Sequence, residues 1–210
     1  MGSMKYKSKT MKTVLYIHGF MSGSNSETSK ILSDLYMRVI TPEVDGNVQN
    51  SLEKINKAIK ETKPNIMIGS SWGGYYALLC DSGDIPVLVI NPSLFPMETL
   101  KKNVGKELTY YSKREDGKQT YTLTQEDYDL FGNYDAIPKV SEKKDNLWAI
   151  CSTKDEVLGD SHIKALEPII PNRITKTDEI GHRLDKKFIT STITLIVDNM
   201  TDWYRKSQTR

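Results

Sequence analysis

Short apolar runs rich in β-branched residues punctuate the chain: TVLYIH (13–18), RVI (38–40), NIMIGS (65–70), PVLVIN (86–91), NLWAICS (146–152) and NRITK (172–176). Most are continuously apolar rather than alternating, the pattern of a strand covered on both faces. Between them the period changes. Val48, Leu52, Ile55 and Ile59 recur at helical spacing, with Glu53, Lys54, Lys57 and Lys60 on the other side. Ile31, Leu32 and Leu35 mark an earlier helix, and Phe188, Ile189, Ile193, Ile196 and Trp203 mark a last one beginning near Asp185. Strands alternating with helices predict an α/β fold, a mostly parallel central sheet with helices on both faces.

One stretch breaks this rhythm. Residues 104–139 are polar and rich in tyrosine. Asp116-Gly117, set between ELTYY and QTYTLT, predicts a hairpin, and Thr124 followed by Glu126 and Asp127 predicts a capped helix start. An excursion of this length reads as a lid or cap inserted into one domain spanning 13–210, or else as surface decoration.

Composition narrows the classes. The 210 residues carry 29 basic and 27 acidic side chains, a net charge of +2. That balance gives no electrostatic reason to expect a nucleic-acid or anionic-membrane partner. Cys80 and Cys151, the only cysteines, lie in apolar segments and read as core residues rather than a disulfide or a metal site. The apolar run 14–17 is too short for a signal-peptide core or a membrane span, so a cytoplasmic location is expected. Residues 1–12 read as a flexible leader whose Met1-Gly2-Ser3 resembles a tag remnant, with Met4 or Met11 as the natural start.

The chemistry concentrates in GSSWGG, residues 69–74. Gly69-Ser70-Ser71-Trp72-Gly73 fits G-x-S-x-G between an apolar strand and a helix, where a sharp turn lifts a serine to the tip. Small residues are required there because strand and helix pass too close for a Cβ. In this register the nucleophile is Ser71. The second signal is YIHGF, residues 16–20, at the end of the first strand. The amides of Phe20 and Trp72 are the candidate donors for an oxyanion, with His18, Gly19 and Met21 lining the pocket mouth. His18 is expected to order its own loop by hydrogen bonding.

A serine needs a base, and the base needs an orienting acid. Of three histidines, His162 sits in DSHIKAL and reads as a solvated helix residue, whereas His182 follows the last strand at the sheet edge where Ser71 emerges. Asp155, just past the strand at 146–152, is the candidate acid, with Glu156 and Asp178 as competitors. The order Ser71, Asp155, His182 is that of an α/β-hydrolase.

With these residues in place the sequence resembles the small YqiA/YcfP-type serine esterases of the α/β-hydrolase superfamily. The likeness rests on LYIHGF with the serines after it, GSSWGGYYA, INPSLFP, DEVL and Gly181-His182. It implies an α/β-hydrolase fold and an esterase that needs no cofactor or metal, acting on short carboxylic esters or thioesters through Ser71, Asp155 and His182. Trp72, Arg183-Leu184 and residues 106–129 depart from the pattern, which bears on the substrate pocket. The competing reading is a catalytically silent binding or scaffolding protein that keeps the fold and uses the tyrosines of 104–139 as its contact surface.

Overall fold

The computed structural model describes residues 10–207. Eight strands and nine helices alternate through them: β1 Thr10–Ile17, α1 Glu27–Leu35, β2 Tyr36–Ile40, α2 Val48–Thr62, β3 Ile66–Ser70, α3 Trp72–Leu79, β4 Val87–Ile90, α4 Pro96–Leu100, β5 Glu107–Thr109, β6 Thr120–Thr122, α5 Gln125–Leu130, α6 Ala136–Lys143, β7 Leu147–Ser152, α7 Ser161–Leu166, β8 Ile174–Thr177, α8 Lys186–Phe188 and α9 Thr194–Ser207. A π-helical turn at Ile189–Ile193 joins α8 to α9. Six strands form one sheet in the order β2-β1-β3-β4-β7-β8, every neighbouring pair parallel.

Strand periodicity divides the core in two. Leu15, Ile17, Met67, Val87, Val89 and Ala149 face α2, α3, α6 and α7, while Val14, Tyr16, Ile66, Ile68, Leu88 and Ile150 face α1 and the C-terminal helices. A strand buried on both sides leaves no position for a polar residue, and this is why these runs read as continuously apolar. Cys80 and Cys151 are free and buried within this core, and burial pushes both thiols up to about 12.

The chain runs from β1 outward to β2 and then returns to β3 on the other side of β1. The loops after β1 and β3 therefore leave the sheet in opposite senses and open a crevice at its carboxyl edge. The 104–139 excursion holds the antiparallel pair β5–β6, with Gly117 of the turn at φ +75°, and the helix α5, capped by Thr124 Oγ1 accepting from Asp127 N.

Two expectations shift. Thr10 pairs with Tyr36, and buried Lys12 reaches Asp198 at 2.7 Å, so β1 takes up residues 10–12 of the supposed leader. A strand end held by distant partners carries no continuous apolar signal; the rest of that leader, 1–9, lies outside the described residues. His162 is not solvated but 1 % exposed, because α7 turns His162, Ile163 and Leu166 onto the sheet. Among the described residues neither ring nitrogen has a hydrogen-bond partner, and burial depresses the pKa. The Trp203 side chain, expected to point inward, lies outside the described residues. No helix among the described residues is long and apolar enough to cross a membrane.

Candidate active site

β3 ends at Ser70 and α3 begins at Trp72, so Ser71 alone makes the turn between them. Its backbone stands at φ 52°, ψ −116°, a conformation costing about 1–3 kcal/mol for a residue with a Cβ. The surroundings over-determine it. Ser71 N donates to Ile90 O at 2.9 Å, and Ser71 O accepts from Gly74 N and Ser93 N, each at 3.0 Å. A Cβ on Gly73 would stand 1.9 Å from Ile17 O, and one on Gly69 2.3 Å from Gly73 O, so only glycine fits at either position. The neighbouring Ser70 turns the other way and bonds to Tyr16 Oη at 2.9 Å.

Two side chains from later in the chain meet Ser71. His182 Nε2 lies 3.0 Å from Ser71 Oγ, and His182 Nδ1 lies 2.8 Å from Asp155 Oδ2. A carboxylate only accepts, so Nδ1 carries the hydrogen and Nε2 offers its lone pair to the serine. Asp155 is 5 % exposed. Burial drives its carboxyl upward, but the His182 hydrogen bond and the Leu158 and Val157 amides, donating to Oδ1 at 2.7 and 2.9 Å, outweigh it and hold the group below the usual range. The two competing acids do not reach the ring. Glu156 accepts from the His182 backbone amide at 2.9 Å, and exposed Asp178 pairs with Lys154 at 3.3 Å.

The loop carrying His182 is anchored by a residue that the motifs did not assign a role. Asn91, at φ +42° just past β4, donates through Nδ2 to the carbonyls of Gly181 at 3.0 Å and His182 at 3.2 Å, and accepts from Ser152 N at 2.7 Å. Ser152 Oγ donates to Ile180 O. The Asn-Pro pair was visible in the sequence, yet nothing local distinguishes an anchoring asparagine from a turn.

On the opposite side, the loop after β1 closes over the serine. A Cβ on Gly19 would stand 3.4 Å from Ser71 Cβ. Among the described residues neither the Phe20 nor the Trp72 amide has a backbone acceptor, and the two rings pack at 4.3 Å between centroids. Beside them a narrow cleft is lined by Gly19, Phe20, Met21, Val44, Trp72, Tyr110 and Tyr121, among others. Trp72 also packs on Phe131, so both ends of the 104–139 excursion wall this region. His18 does not line the cleft. It is 1 % exposed, with Nδ1 2.9 Å from Gly19 O and Nε2 3.3 Å from Glu43 Oε2, because its loop folds the ring back beneath itself. Among the described residues no group of three or more His, Cys, Asp or Glu side chains stands where it could share a metal ion.

A family model described as Uncharacterised protein family (UPF0227) matches residues 13–190. The chain belongs to UPF0227. Its similarity to the YcfP protein of Salmonella arizonae is 28% identity over 114 residues, 46% of this chain. The aligned part spans 59% of the length of the curated relatives that this UPF0227 chain matches. Among solved structures it is similar to Est1E from Butyrivibrio proteoclasticus with ferulic acid bound, at TM-score 0.64, 14% identity, and coverage of 99% of this chain and 93% of that one. It is likewise similar to α/β-hydrolase domain-containing protein 10 from mouse, at TM-score 0.57, 15% identity and 92% coverage of each chain. At such identities the likeness establishes the fold: this UPF0227 member has the α/β-hydrolase architecture.

Proposed function

We propose that the protein is a serine hydrolase that cleaves carboxylic esters or thioesters through an acyl-enzyme on Ser71. The observation that carries this reading is the continuous hydrogen-bonded line from Ser71 Oγ through the His182 ring to Asp155, at 3.0 and 2.8 Å. Its serine is held in a turn where a packing role alone would not justify the strain. Ser71 Oγ attacks the carbonyl carbon while His182 Nε2 takes its proton. The amides of Phe20 and Trp72 receive the developing oxyanion, and the N-terminal end of α3 adds its dipole. Collapse expels the alcohol or thiol, which takes the proton from His182. Water, activated by the same nitrogen, then attacks the acyl carbonyl and restores the serine. Asp155 remains ionised and fixes the tautomer and angle of the ring. Est1E's bound ferulic acid suits this reading, since ester cleavage releases a carboxylic acid.

The test is labelling by a fluorophosphonate together with turnover of p-nitrophenyl esters of increasing acyl length. Wild type should label and hydrolyse. Ser71→Ala should lose the label and at least about 10⁴-fold in kcat. A folded wild type that neither labels nor turns over any ester favours the scaffolding reading.

A further inference from the structure

We infer that the β5–β6 strap is a brace for the oxyanion loop, with Arg114 as its positioning residue. This rests on the reading above, in which the Phe20 amide is an oxyanion donor.

The connection can be followed atom by atom. Arg114, in the turn between β5 and β6, is 2 % exposed although it lies in the most highly charged stretch of the excursion. Its guanidinium is held bidentately by Asp116, Nε to Oδ1 at 3.0 Å and Nη2 to Oδ2 at 2.7 Å. Nη1 donates to Val44 O at 2.8 Å and to Ser22 O at 3.4 Å, and lies 3.4 Å from Glu43 Oε2. Glu43 in turn accepts from Glu115 N at 2.7 Å and Ser24 N at 3.2 Å, and its Oε2 sits 3.3 Å from His18 Nε2. The far side of that ring, Nδ1, donates to Gly19 O at 2.9 Å, while Val44 N points at Nε2 from 3.4 Å, so the ring is wedged between Glu43, Val44 and Gly19.

Gly19 O belongs to the peptide whose N–H is that of Phe20. In a planar trans peptide the C=O and N–H point in opposite directions, so fixing the oxygen aims the amide. Arg114 holds Glu43, Glu43 stands against the His18 ring, and that ring, together with Ser22 N donating to the same oxygen at 3.2 Å, sets the direction of the Phe20 amide. A second tie is direct: Tyr111 N donates to Met21 O at 2.7 Å, pulling the residue after Phe20 onto the strap. Met21 sits at φ +55°, a strained conformation for a residue with a side chain, and needs such an external hold. Preorganised donors are effective because they do not reorganise as charge develops, and a tilted amide loses that advantage. Five donors in a planar fork let arginine hold two carbonyls and two carboxylates at once, which lysine does not replace.

The experiment compares Arg114→Lys and the double variant Arg114→Met/Glu43→Gln, which removes both buried charges together so that neither is stranded. Turnover of p-nitrophenyl acetate is measured per active site, counted by fluorophosphonate labelling, so that an unfolded fraction does not enter the rate. Binding of a trifluoromethyl ketone, whose adduct places an oxyanion in the hole, is measured in parallel. The double variant should lose about 10- to 100-fold in kcat with KM within about twofold, and ketone affinity should fall by the same factor. Arg114→Lys should fall between it and wild type, and it decides the matter alone if the double variant does not fold. Unchanged kcat per site in a folded variant overturns the brace, as does a rise in KM at constant kcat, which would make the strap a substrate wall. A wild type without label or turnover removes the reading of Ser71 and this inference with it, whereas an active wild type matched by its variants removes only this inference.

Discussion

The two loops that meet at Ser71 are held in opposite ways. The loop bearing His182 is anchored from within. Asn91 and Ser152, at the ends of two central strands, bond its carbonyls, and Asp155 and Glu156 bond its ring and its amide. The loop bearing Phe20 is anchored from outside, by Tyr111 N, Arg114 and Glu43, most of them on a peripheral two-stranded strap. Anything that preserves the sheet preserves the first arrangement. The second depends on an insertion whose length and sequence the sheet does not constrain. The difference teaches that the Ser71–His182–Asp155 line is built into the fold, whereas the orientation of the Phe20 loop is open to adjustment from the periphery without disturbing the core.

The comparison breaks most sharply at Asn91. Asn91→Asp keeps the side-chain shape, the tolerance for φ +42° and the acceptor for Ser152 N, but puts an oxygen where two carbonyls now receive N–H donors. The His182 loop must recoil. We expect a loss of about 100-fold in kcat, the usual consequence of misplacing a reacting group by about 1 Å, together with about 2–3 kcal/mol of stability from the unpaired buried groups. Kinetics per labelled site and urea denaturation measure the two separately. A variant that loses stability but retains kcat would mean that the His182 loop keeps its geometry without this anchor.

Gly23→Ala probes the outside hold without altering any charge. A Cβ there would stand 2.7 Å from Arg114 Cγ and 3.1 Å from Lys113 O, so strap and loop must move apart. Overpacking of this kind costs about 1–3 kcal/mol, and on the proposed mechanism kcat should fall about 10-fold as the Phe20 amide tilts. The stability loss should resemble that of Asn91→Asp while the kinetic loss stays smaller, since the Ser71–His182–Asp155 line is intact. Equal kinetic losses would erase the distinction between the two loops.

How much of this was legible follows from the range of the interactions. The six strands of the main sheet stand within three residues of their expected positions, because burial on both faces writes itself locally as continuous apolar runs. The placement of Ser71, Asp155 and His182 at one edge follows from chain order and the switch point between β1 and β3. Arg114 was not legible. In SKREDGK it looks like one more solvated charge, and only partners some 70 and 90 residues away, at Val44 and Ser22, make it a buried one. His162 misled for the same reason in reverse, its charged neighbours hiding a side chain turned to the core. Local pattern reports how a segment is covered; it does not report which distant polar group covers it.

The smallest expected effect separates the two regions by acid. Burial pushes the Glu43 carboxyl up, but the His18 contact, the Glu115 and Ser24 amides and Arg114 outweigh it and hold the group down to about 2, against 4.5 for an ordinary glutamate. Between those values the unfolded chain takes up a proton that the folded chain refuses, so stability falls as the pH drops from 4.5 toward 2 and is complete above that window. Asp116 and Asp155 contribute similarly at lower pH, starting from 3.8, and they do so in wild type and Glu43→Gln alike. The difference between the two proteins therefore isolates Glu43. Wild type should be the more stable at neutral pH, and its advantage in melting temperature should shrink steadily below pH 4.5. An advantage independent of pH would mean that Glu43 holds the strap by shape and hydrogen bonding alone, and that its charge is not what ties the strap to the loop.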